Sequence, residues 1–275
     1  MHDFNGKDTE DISSYLKKRF KSEQLKATEK KPTGNIKLQS GEIIKKTSSK
    51  LIDEEYFVFG NNFGKIIETS DYEKIEERDM KKPVRRNELS ISPRLAKILI
   101  NLSEVKENEI LLDPFCGIGI ILQEALLQDI RVIGIDKDRN AIENAKLNLK
   151  WFGFDSSNYQ IMNEDSSKIK TKKVYGIATE PELGELQRGT PSEEKAKEIL
   201  RNFEELMVRV LRNLKDNAKG RIVFTSPLIL TGKKRLACNF DNISARTGLK
   251  IAQHFPISEF RENSIVGRSI IVMEK

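Results

Sequence analysis

Between Ile91 and Pro227 the hydrophobic pattern alternates between short apolar runs and segments of helical period. SPRLAKILINLS (92–103) sets a Ser ahead of a Pro and then apolar residues at helical spacing, the signature of a capped helix start. NEILLDPFCG (108–117) is a strand entering a glycine turn, GIILQEALLQ (119–128) an amphipathic helix, RVIGID (131–136) a strand and DRNAIENAKLNLKWFG (138–153) a helix. NYQIMNED (158–165) and VYGIATEP (174–181) read as strands, residues 192–214 as a long helix, and GRIVFTSP (220–227) as a strand. Parallel strands need crossover connections, so this alternation predicts an α/β fold with a doubly wound, mostly parallel sheet. LKIAQHFPI (249–257) and GRSIIVMEK (267–275) have no helix between them and predict a closing antiparallel hairpin.

The stretch before Ile91 reads differently. Ile12, Tyr15, Leu16 and Phe20 give residues 9–26 a near-helical spacing, with Thr9 as a candidate cap. A turn at KPTGN precedes strand candidates IKLQ, EYFVFG and GKIIETS. The expected organisation is a small α+β region over residues 1–80 and an α/β domain over 81–275. The charge of +6 and pI of about 9.1 point toward an anionic partner, or equally toward a Lys-rich solvated surface. Two cysteines and two histidines make neither a disulfide framework nor a metal set, so no metal is expected. The polar start and the lack of a spanning apolar run predict a soluble, cytoplasmic protein without a membrane partner.

Chemistry concentrates at the ends of successive strands. DPFCGIG supplies Gly117 and Gly119 for a tight turn and a close backbone approach to a ligand, with Asp113 at the strand end. A dinucleotide fingerprint would have a third Gly or Ala where Leu122 stands, and an acid before the loop is poorly placed beside a pyrophosphate. Asp113 suits an ammonium instead. Asp136 ends the next strand, where a carboxylate can bond ribose hydroxyls, and Asp165 with Ser166 ends the third, within reach of an adenine edge. Three acids at three strand tips with a glycine turn at the first fit S-adenosylmethionine.

The stretches KKPVRRNELSISPRLAKILINLS, ILLDPFCGIGIILQEALL, VIGID and AIENAKLNLKWFG resemble the archaeal tRNA guanine-N2 methyltransferase family, over roughly residues 78–275. The resemblance implies a class I, Rossmann-like domain with a seven-stranded sheet and a cofactor site lined by Asp113, Phe115, Cys116, Gly117, Gly119, Asp136 and Asp165. It also implies an N-terminal RNA-binding module of the THUMP type, against which residues 9–80 read as a reduced or linker-like version. The implied partner is RNA, foremost tRNA, and the need for a small activator subunit is left open.

In many enzymes that methylate amino groups on bases the fourth strand ends in (D/N)PP(Y/F); here it ends TEPELG. Glu180 takes the acid position as the candidate that orients a target amine, and Pro181 is kept and shapes the backbone. Glu182 stands for the second Pro and Leu183 for the ring that would stack on a flipped base. Holding the amine so that its nitrogen lone pair meets the methyl in line does most of the work, because the sulfonium leaves readily. Lys81, Lys82, Arg85 and Arg86, with Arg94 and Lys97, form a basic cluster suited to phosphates or simply to solvent, as do Lys233, Lys234 and Arg235. Trp151 and Phe152 either stack on a base or cap the core. Cys116, inside the cofactor turn, reads as a packing residue rather than a nucleophile. The expectation is an RNA methyltransferase acting on an exocyclic amine, with two alternatives: a catalytically inactive RNA- or partner-binding protein of the same fold, or a DNA amino-methyltransferase.

Overall fold

The computed structural model describes residues 2–3, 9–26, 28, 35–37, 43–45, 54–59, 62–67, 72–85, 91–184, 189–261 and 264–275. The chain divides into two compact units, Met1–Glu77 and Arg78–Lys275.

The first unit combines one helix with short strands. Strand β1 (His2–Asp3) is followed by α1 (Thr9–Ser22), the two-stranded antiparallel pair β2 (Asn35–Lys37) and β3 (Ile43–Lys45), and then β4 (Glu55–Phe59) and β5 (Asn62–Ile66). β4 pairs with β5 antiparallel and with β1 parallel. Tyr56 stacks on Phe63 across that pair, with ring centroids 5.4 Å apart. Helix α2 (Tyr72–Lys81) carries the chain into the second unit.

The second unit opens with α3 (Pro93–Leu102). Ser92 is extended at the cap and accepts a hydrogen bond from the Leu95 N–H at 3.2 Å, while Pro93 occupies the first turn. There follow β6 (Ile110–Asp113), α4 (Ile120–Leu126), β7 (Arg131–Asp136), α5 (Arg139–Trp151), β8 (Tyr159–Asn163), β9 (Gly176–Thr179), α6 (Glu193–Leu214) and β10 (Ile222–Thr231). The chain ends with β11 (Lys234–Leu236), α7 (Phe240–Thr247), β12 (Lys250–Ile251), β13 (Ile257–Glu259) and β14 (Val266–Glu274). The sheet runs β12-β14-β10-β9-β6-β7-β8, with β11 and β13 paired to β10 and β14 off this path. β8, β7, β6, β9 and β10 are parallel, and β14 returns antiparallel along β10 in register from Ile222↔Met273 to Ile229↔Val266. The path thus has the seven strands that the resemblance implies, with the antiparallel edge expected from the two terminal runs.

Strand alternation assigns one residue of each neighbouring pair to each face. Leu111, Val132, Val223 and Val272 join the core beneath α3, α4 and α5. Leu112, Ile133, Phe224 and Ile271 join the core beneath α6 and α7. α6 presents Ala196, Leu200, Phe203, Met207, Leu211 and Leu214 to that second core, a stripe of helical period.

Two features depart from the pattern read in the sequence. β10 continues through Leu228 to Thr231 and turns at Gly232 into β11, so Lys234 and Arg235 lie on a strand rather than a loop. The short helix α7, capped by Asn239 and stopped by Gly248 in the left-handed region, has too few turns to announce itself by periodicity.

Candidate active site

The parallel strands β6, β7 and β9 end on one edge of the sheet, and the turn after β6 is built there. Asp113 is 1% exposed and accepts two hydrogen bonds at Oδ1, from the Phe115 N–H (3.1 Å) and from the Thr179 hydroxyl at the tip of β9 (2.6 Å). Burial pushes its carboxyl up to about 7 against these bonds, and the charges of Asp136 and Glu180 add to the effect. Among the described residues, Asp113 is therefore a buried acid without a counter-charge.

Asp136 holds the glycine turn. Its Oδ2 accepts from the Gly117 N–H and its Oδ1 from the Asp138 N–H, both at 2.9 Å. Gly117 (φ +51°) and Gly119 (φ +87°) lie in the left-handed region, which turns the chain into α4. A side chain at Gly119 would meet the Ala145 Cβ at 3.4 Å, where α5 crosses the turn. Asn148 of α5, wholly buried, donates to the Ile118 carbonyl (3.1 Å) and makes a two-way bond with the Val84 backbone. It ties the turn to the segment after α2. Cys116 is buried, and burial followed by the charges of Asp113 and Asp136 pushes its thiol well above the ordinary range. It packs against Gly134, where an added Cβ would lie 3.1 Å from the Sγ.

After β8, Asp165 is exposed and spends its Oδ1 on Ser167, which lowers its pKa. The buried Ser166 hydroxyl donates to the Pro114 carbonyl at 2.5 Å, which commits its proton to the loop. Asn213 of α6 fixes the same loop through the carbonyls of Ser166 (3.0 Å) and Ile169 (2.8 Å).

At the end of β9, Glu180 turns its carboxylate toward the neighbouring strands. Oε1 accepts from Arg268 Nε on β14 at 2.5 Å and from the Thr225 hydroxyl on β10 at 3.4 Å. Glu259 on β13 lies 3.7 Å from the other end of the Arg268 guanidinium. Burial raises the Glu180 pKa, and Arg268 opposes that rise most strongly. Pro181 is buried, Glu182 exposed, and Leu183 packs on the core shared with α6.

The basic cluster separates on folding. Lys82 is buried and paired with Asp79 at 2.5 Å, with Arg85 3.9 Å from the other oxygen of Asp79. Lys82 is thus a structural ion, the correction to its reading as a phosphate contact: its ammonium is spent inside the protein. Lys81 and Arg94 are exposed, and Arg86 lies outside the described residues. Lys234 pairs with Glu193, and Arg235 lies over the Phe260 ring at 4.2 Å. Trp151, 45% exposed, meets Phe152 edge-on, and Phe152 stacks on Phe154. Burial of Cys238 pushes its thiol up to about 12. Among the described residues, no group of three or more His, Cys, Asp or Glu could hold a metal, and no helix is long and apolar enough to cross a membrane.

The sequence reading missed Thr179, Thr225, Asn148, Asn213 and Arg268. Asn148 and Arg268 had a visible signal: a polar residue on the buried stripe of α5, and a charge at the head of the apolar run SIIVM.

The family described as RMKL-like, methyltransferase domain matches residues 81–231, more than half of the chain. The chain belongs to this family. A second family description, DNA methylase, matches residues 4–147. The chain is 37% identical over 115 residues to the tRNA (guanine(10)-N2)-dimethyltransferase of Methanothermobacter thermautotrophicus, covering 42% of this chain and 33% of that protein. It is 29% identical over 161 residues to the protein of the same name from Pyrococcus abyssi, covering 57% of this chain and 43% of that one. These matches span less than half the length of either relative. TrmN from Thermus thermophilus shares the fold, with a TM-score of 0.52 and 17% identity over 81% of this chain and 59% of that chain.

Proposed function

We propose that the chain is an S-adenosylmethionine-dependent methyltransferase that modifies the exocyclic N2 of guanine in tRNA. The observation that carries the reading is the placement of two differently equipped acids at adjacent strand tips. Asp113 ends β6 and Glu180 follows β9, near enough for Glu180 to raise the Asp113 pKa. The family match and the printed names of the relatives support the same reading.

The donor set fits the cofactor. Asp113 is a buried carboxyl with no counter-cation among the described residues, a deficit that an amino-acid ammonium would fill. Asp136, already shaped by two backbone N–H donors, keeps lone pairs for ribose hydroxyls. The backbone of Phe115, Cys116, Gly117 and Gly119 would line the approach, and Asp165 would meet the adenine edge. When bound, the cofactor supplies a methyl on a sulfonium, which needs no activation by the protein. The protein's task is therefore orientation. Glu180, with Oε1 held from behind, offers Oε2 to the guanine amine, and Pro181 fixes the backbone beside it. The exposed cations Lys81 and Arg94 would meet phosphates, as would Lys17, Lys18 and Lys21 on α1 of the first unit, which we assign to RNA binding.

The test is transfer of tritiated methyl to unmodified tRNA, alongside calorimetric titration with S-adenosylmethionine. Glu180→Ala should abolish transfer and leave cofactor binding intact. Unchanged turnover in that variant, or a wild type that binds the cofactor and transfers to no tRNA, removes the assignment.

A further inference from the structure

The side chains around Glu180 form a line across four strands: Thr225 on β10, Glu180 after β9, Arg268 on β14 and Glu259 on β13. The register sets Glu259 opposite Arg268, and Arg268 opposite Pro227 on β10. Both hydrogen bonds to Glu180 converge on Oε1. Arginine–carboxylate pairs are frequently bidentate, whereas the half-buried Arg268 engages a single oxygen of Glu180 through its Nε.

We propose that Arg268 is a positioning residue for the target amine, acting through Glu180: it pins Oε1 from the far side of β10 so that Oε2 is the oxygen presented at the strand tip. This rests on the methyltransferase reading above and adds to it the part that replaces the shorter side chain expected at this position. Glutamate has one more rotatable bond than aspartate, and an unpinned carboxylate would sample several rotamers. Misplacement of about 1 Å at a reacting centre lowers the rate about 100-fold.

Arg268 also sets the charge state. The groups facing the Glu180 carboxylate are Arg268 and, at longer range, Glu259 and Asp113; the Thr225 hydroxyl is its neutral partner. Desolvation favours the protonated acid, and Arg268 is the largest influence in the other direction. A protonated Glu180 loses an acceptor for the amine N–H. Transfer is therefore lost as pH falls through the Glu180 pKa, and removing Arg268 moves that loss to higher pH.

The experiment compares wild type, Arg268→Lys, Arg268→Met and Glu180→Ala. Tritium transfer to tRNA is measured from pH 6 to 9, the cofactor dissociation constant by calorimetry, and the Glu180 carboxyl titration by NMR with 13C-labelled glutamate. In Arg268→Met, kcat should fall about 100-fold at neutral pH with cofactor affinity unchanged. Its acid limb and the Glu180 NMR midpoint should both move to higher pH, because the charge that opposes the desolvation of Glu180 is gone. Arg268→Lys should restore the midpoint and only part of the rate, since an ammonium keeps the charge and lacks the planar fork. A wild-type NMR midpoint in Arg268→Met overturns the proposal whatever the transfer result. Wild-type turnover in Arg268→Met with an inactive Glu180→Ala overturns the role of Arg268 alone. Full turnover in Glu180→Ala overturns the reading on which it rests. Should Arg268→Met fail to fold, the Lys variant decides: a midpoint and rate profile that both match wild type would show that the guanidinium fork has no positioning role.

Discussion

The two halves of the candidate site are held by different means. On the cofactor side, Asp113, Asp136 and Asp165 each bond to the backbone N–H two residues on, Asp136 also to the glycine turn after the neighbouring strand, and one long-range bond, from Thr179 to Asp113, is added to these. These are local turns, and the acid in each is paired with the peptide that follows it. On the target side, Glu180 is held by side chains 45 and 88 residues further along the chain. The first arrangement fixes backbone shape and leaves the outer face of each acid for a ligand. The second fixes one oxygen of a long side chain and depends on three strands arriving in register.

If the cofactor side is held by its own turns, removing one acid should damage affinity without melting the domain. Asp136→Ala loses two charge-assisted bonds to backbone N–H groups and the ribose contacts proposed for it, so S-adenosylmethionine affinity should drop about 100-fold. Calorimetry reads this directly, and affinity within a fewfold of wild type would break the contrast. The next effect is on pH. The folded pKa of Asp113, about 7, lies above the ordinary 3.8, and an ammonium beside it lowers it, so binding must expel a proton below pH 7. Cofactor affinity should then fall about tenfold per unit from pH 7 down toward 5, with proton release visible as a buffer-dependent binding enthalpy. The apo domain should move oppositely: a raised carboxylate pKa removes stability as pH rises from about 4 to 7, so thermal denaturation should show a midpoint at pH 5.5 that is higher, relative to that at pH 7.5, in wild type than in Asp113→Asn.

Packing beneath the turn gives the third effect. A Cβ at Gly134 would lie 2.6 Å from Leu122 Cδ1 and 3.1 Å from Cys116 Sγ. Gly134→Ala should destabilise by about 1–3 kcal/mol, a few degrees in melting temperature, and weaken cofactor binding with it. The smallest change is expected at Asp165, which is exposed and bonded only to its own turn and Lys168. Asp165→Asn should alter affinity no more than about threefold, the scale of one exposed contact. A larger loss would place it nearer the centre of the site than its geometry indicates.

This difference also explains how much could be read from the sequence. The order of strands, the glycine turn and the three strand-tip acids rest on period and spacing over a few residues, and those signals are local. The Asp113–Thr179 bond joins residues 66 positions apart and the Glu180–Arg268 pair residues 88 apart, and no local pattern encodes either. Lys82 shows the converse failure. KKPVRR looks uniformly basic, but the fold buries Lys82 against Asp79 while its neighbour Lys81 stays on the surface. Trp151 and Phe152 are legible in the sequence as a pair, yet only folding shows that Phe154 extends the stack and that Trp151 stays half open.

The pairing across β9, β10 and β14 carries a consequence for descent. A chain that lost the carboxylate at 180 would keep a guanidinium only 26% exposed, with Glu259 3.7 Å away as its remaining partner. One that lost Arg268 would leave an acid buried at a strand tip. Either single change is a step downhill, and the pair tolerates replacement best when both ends change together. In a set of related chains, positions 180 and 268 should therefore be inherited as a couple, with Arg268 present where the fourth strand ends in TEP and absent where a shorter acid or amide stands in place of Glu180.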